Sequence, residues 1–285
     1  MNKILIYLIS VCLYLVLIKS ISGAKENITA FCGSASKPAT EEAARLFEQK
    51  TGIKVDLHFG GSGTMLSQMK LSKRGDLYIP GSPDYMIKAK REKIVDPKTV
   101  RIIAYLVPAI LVQHGNPKKI HTLSDLAKPE IRIGIGNPYA VCVGLYAVEI
   151  LIKSGLLKPV EKNIVTHAHS CSITASFITM KKVDAIIGWR VFSKWNPNNI
   201  DVVYLKPDEI QRLAFIPAAI STYSKDKDSA QKFIDFLTSP EGRIIYTKWG
   251  YIATEKEARE FAPKAKIGGE YTLPKDYRPF VGDSL

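Results

Sequence analysis

The sequence predicts an α/β fold with largely parallel sheets, and three observations lead there. Short apolar runs recur along the chain, each followed within a few residues by a segment of helix-forming composition. The junctions between the two are rich in Gly, Ser and Thr. No internal repeat or low-complexity segment breaks the alternation.

Taken in order, residues 28–31 read as a strand, and residues 38–50 as a helix that opens on Pro38, Glu41 and Glu42 and stops at Gly52. Residues 54–59 alternate as a strand, and 64–72 form a helix. Residues 76–79 are a strand and 83–92 a helix. The run "AYLVPAILVQ", residues 104–113, is expected as one long strand. Further strands are expected at 131–135, 164–169, 185–188 and 213–221. Helices are expected at 144–154 and 174–182, with closing helices at 229–237 and 240–249.

A chain of 285 residues is long enough for one large domain or two lobes with real cores. Its 46% hydrophobic and 24% charged content is that of a globular protein. Residues 1–24 stand apart: a short basic start (Met1, Asn2, Lys3), an apolar run over 4–18, then Ser22, Gly23 and Ala24 as small cleavage-site residues. That is the layout of a secretory signal peptide, so the mature chain is expected outside the cytoplasm, periplasmic or extracytoplasmic. No later segment is long and apolar enough to span a bilayer.

The formal charge is +13, from 40 basic and 27 acidic residues. Its lysines are scattered, without a long basic run or interleaved aromatics, so the charge reads as solvated surface with a weak pull on anions, and no nucleic-acid partner is expected. Of four cysteines, Cys12 falls in the leader, and Cys32, Cys142 and Cys171 remain. No CxxC supports a zinc ribbon or a thioredoxin-like site. Enzyme motifs are missing too: there is no GxSxG, HExxH or GxxxxGK[ST], and the adjacent Glu41 and Glu42 suit a helix N-terminus better than an acid–base pair.

Four strand-to-helix junctions share one chemistry: Gly33–Ser34–Ala35–Ser36, Gly60–Gly61–Ser62–Gly63–Thr64, Val141–Cys142–Val143–Gly144, and Ser170–Cys171–Ser172–Ile173–Thr174. A helix start carries unpaired backbone N–H groups and a positive partial charge. Small residues let an anion approach those groups, and hydroxyls add rotatable donors. The plain alternative at any one junction is ordinary N-capping. Four together, outside the carboxyl ends of strands, point to a shared anion site.

These residues resemble the molybdate/tungstate-binding branch of the type II periplasmic binding proteins of ABC transporters. The carrying segments are "CGSASKPATEEAARLFEQKTGIKVDLHFGGSGTMLSQM", "GDLYIPGSPDYM", "IGIGNPYAVCVGLYAVEIL", "VDAIIGW" and the late "IPAAIS…AQKFIDFLTSPEG", in family order over nearly the whole mature chain. The resemblance implies a two-lobed α/β fold with two hinge-crossing strands, near residues 104–113 and 213–221, and a ligand cleft between the lobes. Residues 25–105 and 215–285 would form one lobe and 106–214 the other. Carried over residue by residue, the oxyanion donors would be the hydroxyls of Ser34 and Ser62, the backbone N–H groups of Val143 and Cys171, and Trp189, which stands where the family has a tyrosine. Cys32, Gly61 and Cys142 would be further cleft residues.

The resemblance further implies an exported solute-binding protein, not an enzyme, that captures a tetrahedral oxyanion. Molybdate or tungstate would be its ligand, with no cofactor and no separate metal site. A permease and an ATPase would be its partners, and the protein itself is expected to act as a monomer. Two readings stay open. One is a receptor for arsenite or a soft metal ion using Cys32, Cys142 and Cys171, with His167 and His169 at period-two spacing to Cys171. The other is an enzyme or sensor reusing the two-lobed fold. Cys142 and Cys171 sit at loop–helix junctions of one lobe, so a disulfide between them is a third possibility for the thiols.

Overall fold

The structure, a computed structural model, describes residues 27–279; the leader expected over residues 1–24 lies outside them. Among the described residues no helix is long and apolar enough to cross a membrane. The strands in chain order are β1 (Asn27–Gly33), β2 (Lys54–Gly60), β3 (Leu77–Ile79), β4 (Arg101–Leu106), β5 (Pro108–Gln113), β6 (Ile133–Gly136), β7 (Ile164–Ala168), β8 (Ala185–Trp189), β9 (Ile200–Val203), β10 (Arg212–Ile220) and β11 (Lys266–Ile267). They form two sheets, β11-β10-β3-β1-β2 with β4 paired to β10, and β7-β6-β8-β5-β9. Each sheet is the centre of one lobe.

The helices that matter for the site are α1 (Lys37–Thr51), α2 (Ser62–Ser72), α3 (Pro83–Arg91), α4 (Cys142–Lys153) and α5 (Leu157–Glu161), then α6 (Cys171–Thr179), α7 (Phe192–Trp195) and α8 (Lys227–Thr238). β1 is paired in parallel to β2 on one side and β3 on the other. Ile28, Ala30, Phe31 and Cys32 are all buried in it, as expected of a strand covered on both faces. α1 buries Ala39, Ala43, Ala44 and Phe47, a stripe at helical spacing, and the Phe47 ring lies 5.0 Å from that of Phe233 on α8. In the second sheet β6 is parallel to both β7 and β8.

The run expected as one strand over residues 104–113 is two. β4 runs antiparallel to β10 in the first sheet. After Val107 the chain enters β5, which pairs β8 and β9 in the second sheet. Pro108 opens the new strand, a position where the missing N–H costs no ladder bond. This is the crossing between lobes, and the expected strand straddled it.

Three helices begin earlier than expected. α2 starts at Ser62, α4 at Cys142 and α6 at Cys171, each two or three residues before the anticipated start. Composition assigned these small residues to loops, yet they are the first helical residues, so their own N–H groups are among the unpaired ones.

After β11 the chain ties the lobes together. Arg91 of α3 holds Glu270 through two hydrogen bonds of 2.9 and 3.0 Å. Farther on, the Tyr139 hydroxyl, from the loop after β6, donates to the Tyr277 carbonyl at 2.9 Å. Leu273 and Tyr277 pack into the apolar cluster that contains Ile133, Ile135, Leu151 and Ile187 of the second lobe.

Candidate functional site

Parallel strands place the loops at their carboxyl ends side by side, and here both lobes turn those ends toward one another. The loop after β1 carries Ser34, the loop after β2 carries Gly61 and leads to Ser62, and the loop after β3 carries Gly81. From the second lobe come Ala140 and Val141 after β6, His169 and Ser170 after β7, and Trp189 at the end of β8. Ser34, Ser62, Cys142, Val143, Cys171 and Trp189 are all buried.

Direct bonds cross between the lobes at this seam. The Ser172 N–H donates to Ser34 Oγ at 3.1 Å, and the Gly63 N–H to the Ala140 carbonyl at 2.8 Å. Two glycines permit the approach. A Cβ at Gly61 would lie 2.8 Å from both the Ala140 and His169 carbonyl oxygens, and one at Gly81 would lie 2.6 Å from the Ala35 Cβ and 2.8 Å from Cys142 Sγ.

Hydrogen bonding separates a ligand role from capping. Of the four helix-opening junctions, only Ser170 caps its own helix through its side chain, accepting from the Ile173 N–H at 3.2 Å. Ser36, Gly61 and Val141 precede their helices without a side-chain cap. The hydroxyls of Ser34 and Ser62 are engaged elsewhere: Ser34 with Ser172, and Ser62 Oγ accepting from the Gly81 N–H at 3.0 Å. A hydroxyl has one proton and two acceptor sites. Each oxygen is therefore fixed by an N–H while its proton stays available to an acceptor in the seam.

The thiols divide into two environments. Cys32 sits mid-sheet, opposite Phe59 of β2 and Ile79 of β3, and burial pushes its thiol far up. Cys142 and Cys171 meet instead, their sulfurs 3.5 Å apart at the starts of α4 and α6, and both are free thiols. Burial raises the Cys171 thiol well above the ordinary range and the bond to Cys142 adds to this, while the Val143 N–H and the Trp189 indole act the other way. The Trp189 indole Nε1 is nevertheless buried without a hydrogen-bond partner of good geometry, as is the Tyr146 hydroxyl. The two rings meet edge to face at 4.9 Å.

His167, His169 and Cys171 do not line up as one extended row. β7 ends at Ala168 and α6 begins at Cys171, so the period-two spacing does not carry through; His167 is half-buried and His169 exposed. Among the described residues no group of three or more His, Cys, Asp or Glu side chains is placed to hold a metal ion.

Three features of this region were not read from the sequence. Gly81 anchors Ser62, and its signal was present in "IPGSPDYM", a fifth small-residue junction that opens a helix on Pro83. Tyr146 lies one helical turn after Cys142. Behind it the Arg212 guanidinium sits 4.3 Å over its ring. Arg212 is buried with two buried carboxylates, donating from Nε to Glu149 at 2.8 Å and from Nη1 to Asp84 at 2.9 Å. Asp84 belongs to the first lobe and Glu149 to the second, so this ion cluster bridges them. A lone Glu inside the apolar run "VCVGLYAVEILIK" was its only trace.

Comparison with known proteins gives the family and the fold. The sequence profile of the bacterial extracellular solute-binding protein family matches residues 28–252, and the chain belongs to that family. It is 27% identical to a putative binding protein of Haemophilus influenzae over 79% of this chain and 91% of that one. It is 23% identical to the molybdate-binding protein ModA of Rhodobacter capsulatus over 81% and 90% of the two chains. Its fold is that of two-lobed periplasmic binding proteins. The periplasmic molybdate-binding protein of Azotobacter vinelandii superposes with a TM-score of 0.71 at 18% identity, over 80% of this chain and all of that one. The sulfate-binding protein SubI of Mycobacterium tuberculosis superposes with a TM-score of 0.72 at 17% identity, over 85% and 94%.

Proposed function

We propose that this chain is the extracytoplasmic solute-binding component of an ABC importer, and that it captures a tetrahedral oxyanion, molybdate or tungstate, in the seam between its lobes. It would hand that ligand to a permease driven by an ATPase. Similarity to ModA proteins supports the ligand class, while the likeness to a sulfate-binding fold keeps sulfate as the competitor to be tested.

The observation that carries the reading is the character of the seam. Its polar groups are chiefly donors: the protons of two serines whose oxygens already accept from an N–H, the starts of α4 and α6, and a Trp189 indole buried without a hydrogen-bond partner of good geometry. A dianion needs such donors and needs no counter-charge if they are charge-assisted and dry. Closing the lobes around it excludes water and completes the shell. Among the described residues of the seam no nucleophile is hydrogen-bonded to a base, so capture rather than turnover is the chemistry it suits.

A thermal-shift panel tests this directly, because a ligand that binds only the folded state raises its melting point. Molybdate and tungstate are expected to stabilise the protein most, with sulfate, phosphate, arsenite and divalent metals giving smaller shifts or none. Stabilisation by arsenite or a metal with no response to molybdate and tungstate would overturn it.

A further inference from the structure

The seam contains a pair of groups that oxyanion binding does not require, the thiols of Cys142 and Cys171. Their sulfurs stand 3.5 Å apart, and both side chains are buried. Each is the first residue of its helix, so each thiol is rigidly tied to the N–H groups assigned above to the anion. Both also lie where the lobes meet. Gly81 of the first lobe packs against Cys142 Sγ, and Ser172, next to Cys171, donates to Ser34 of the first lobe. Parting the lobes therefore uncovers the pair, and closing them shields it.

We propose that Cys142 and Cys171 form a reversible disulfide when the lobes part, and that this bond weakens oxyanion capture; the second half rests on the function proposed above. The oxidant is a small disulfide of the kind found in oxidising compartments. The thiolate of one cysteine attacks it, forming a mixed disulfide and releasing one thiol. The second cysteine then attacks the protein sulfur of that mixed disulfide and expels the other thiol. The protein loses two electrons and two protons, and the oxidant gains them as two thiols. A larger external thiol pool reverses both steps.

The geometric consequence follows from bond length. A disulfide holds its sulfurs about 2.05 Å apart, so the starts of α4 and α6 must be drawn together by more than an ångström or their side chains turned. The first change moves the Val143 and Cys171 N–H groups relative to Ser34 and Ser62, and either one takes the Cys171 thiol from its present place beside the Trp189 indole.

The test incubates the full chain with oxidised glutathione, with and without molybdate, followed by acid quench, alkylation and peptide mapping. The expected result is a Cys142–Cys171 linked peptide, a mass two units lower, recovery on reduction, and slower bridging in the presence of molybdate. Titration calorimetry should then show molybdate affinity at least tenfold weaker for the bridged protein. The variants Cys142→Ser and Cys171→Ser should each give a glutathione adduct on the remaining cysteine instead, and Cys32→Ser should bridge like the parent. Full alkylation of Cys142 and Cys171 after glutathione treatment would overturn the bridge. A bridged protein with unchanged molybdate affinity would overturn its effect on capture. If molybdate binds neither form, the oxyanion reading fails by itself, because the linked peptide is scored without ligand.

Discussion

Replacing Ser34 or Ser62 by alanine removes the same hydroxyl from the seam, yet the two changes should be distinguishable. Ser62 Oγ accepts from Gly81 within one lobe, at 3.0 Å in a buried setting. Ser62→Ala leaves that N–H without an acceptor, which costs about 1–3 kcal/mol. At about 2–4 °C per kcal/mol for a protein of this size, the ligand-free melting temperature should fall by about 2–12 °C. Ser34 Oγ accepts from Ser172 across the lobes, at 3.1 Å. In Ser34→Ala the Ser172 N–H can return to water when the lobes open, so ligand-free stability should move much less. Under the proposed function each variant would also delete one charge-assisted donor to the anion, worth about 1.5–3 kcal/mol, or about 10- to 150-fold in affinity at about 1.4 kcal/mol per decade. Calorimetric titration with molybdate reads the affinity and a thermal melt the stability. Unchanged affinity in both variants would remove these loops from the site; equal melting losses would refute the distinction between a bond within a lobe and one between lobes.

Other consequences follow from the buried groups. Arg212→Met strands Asp84 and Glu149 without their shared partner, and breaking a buried pair in this way costs about 3–5 kcal/mol; the urea midpoint should fall accordingly, and the Asp84→Asn/Glu149→Gln/Arg212→Met triple variant should recover part of the loss. Trp189→Phe removes a buried indole N–H that has no hydrogen-bond partner of good geometry, so molybdate affinity should fall about tenfold while stability changes only by the lost packing, about 1–3 kcal/mol. Burial lowers the His167 pKa below its ordinary 6.5, so the fold holds this ring neutral. Its contribution is complete above about pH 6.5 and is lost as pH falls through the lowered folded value; His167→Gln should flatten that part of the urea-midpoint profile between pH 7 and 5.

Much of the architecture was legible because parallel α/β units write themselves as apolar run, small-residue junction and helix. The junctions at Ser34, Ser62, Cys142 and Cys171 were located that way, and they are the loops that meet across the lobes. Composition misled at the helix starts, since Ser62 and Cys171 look like loop residues but begin helices whose geometry is set by tertiary packing. It also misled at residues 104–113, where one apolar run serves two sheets and only Pro108 marks the change. The Arg212 cluster was out of reach. Its members are 63 and 128 residues apart in sequence, and nothing local to a lone Glu or Arg announces that three charges will be buried together. The period-two histidines failed for the opposite reason: the spacing was real, but the strand that would have aligned them ends at Ala168.

Titration of molybdate, tungstate and sulfate into the purified chain by calorimetry tests the proposed capture most directly. One saturable site for molybdate and tungstate is expected, at least tenfold tighter than for sulfate and weakened by Ser34→Ala and Ser62→Ala. Absence of heat from molybdate and tungstate, with saturable binding of sulfate instead, would contradict it.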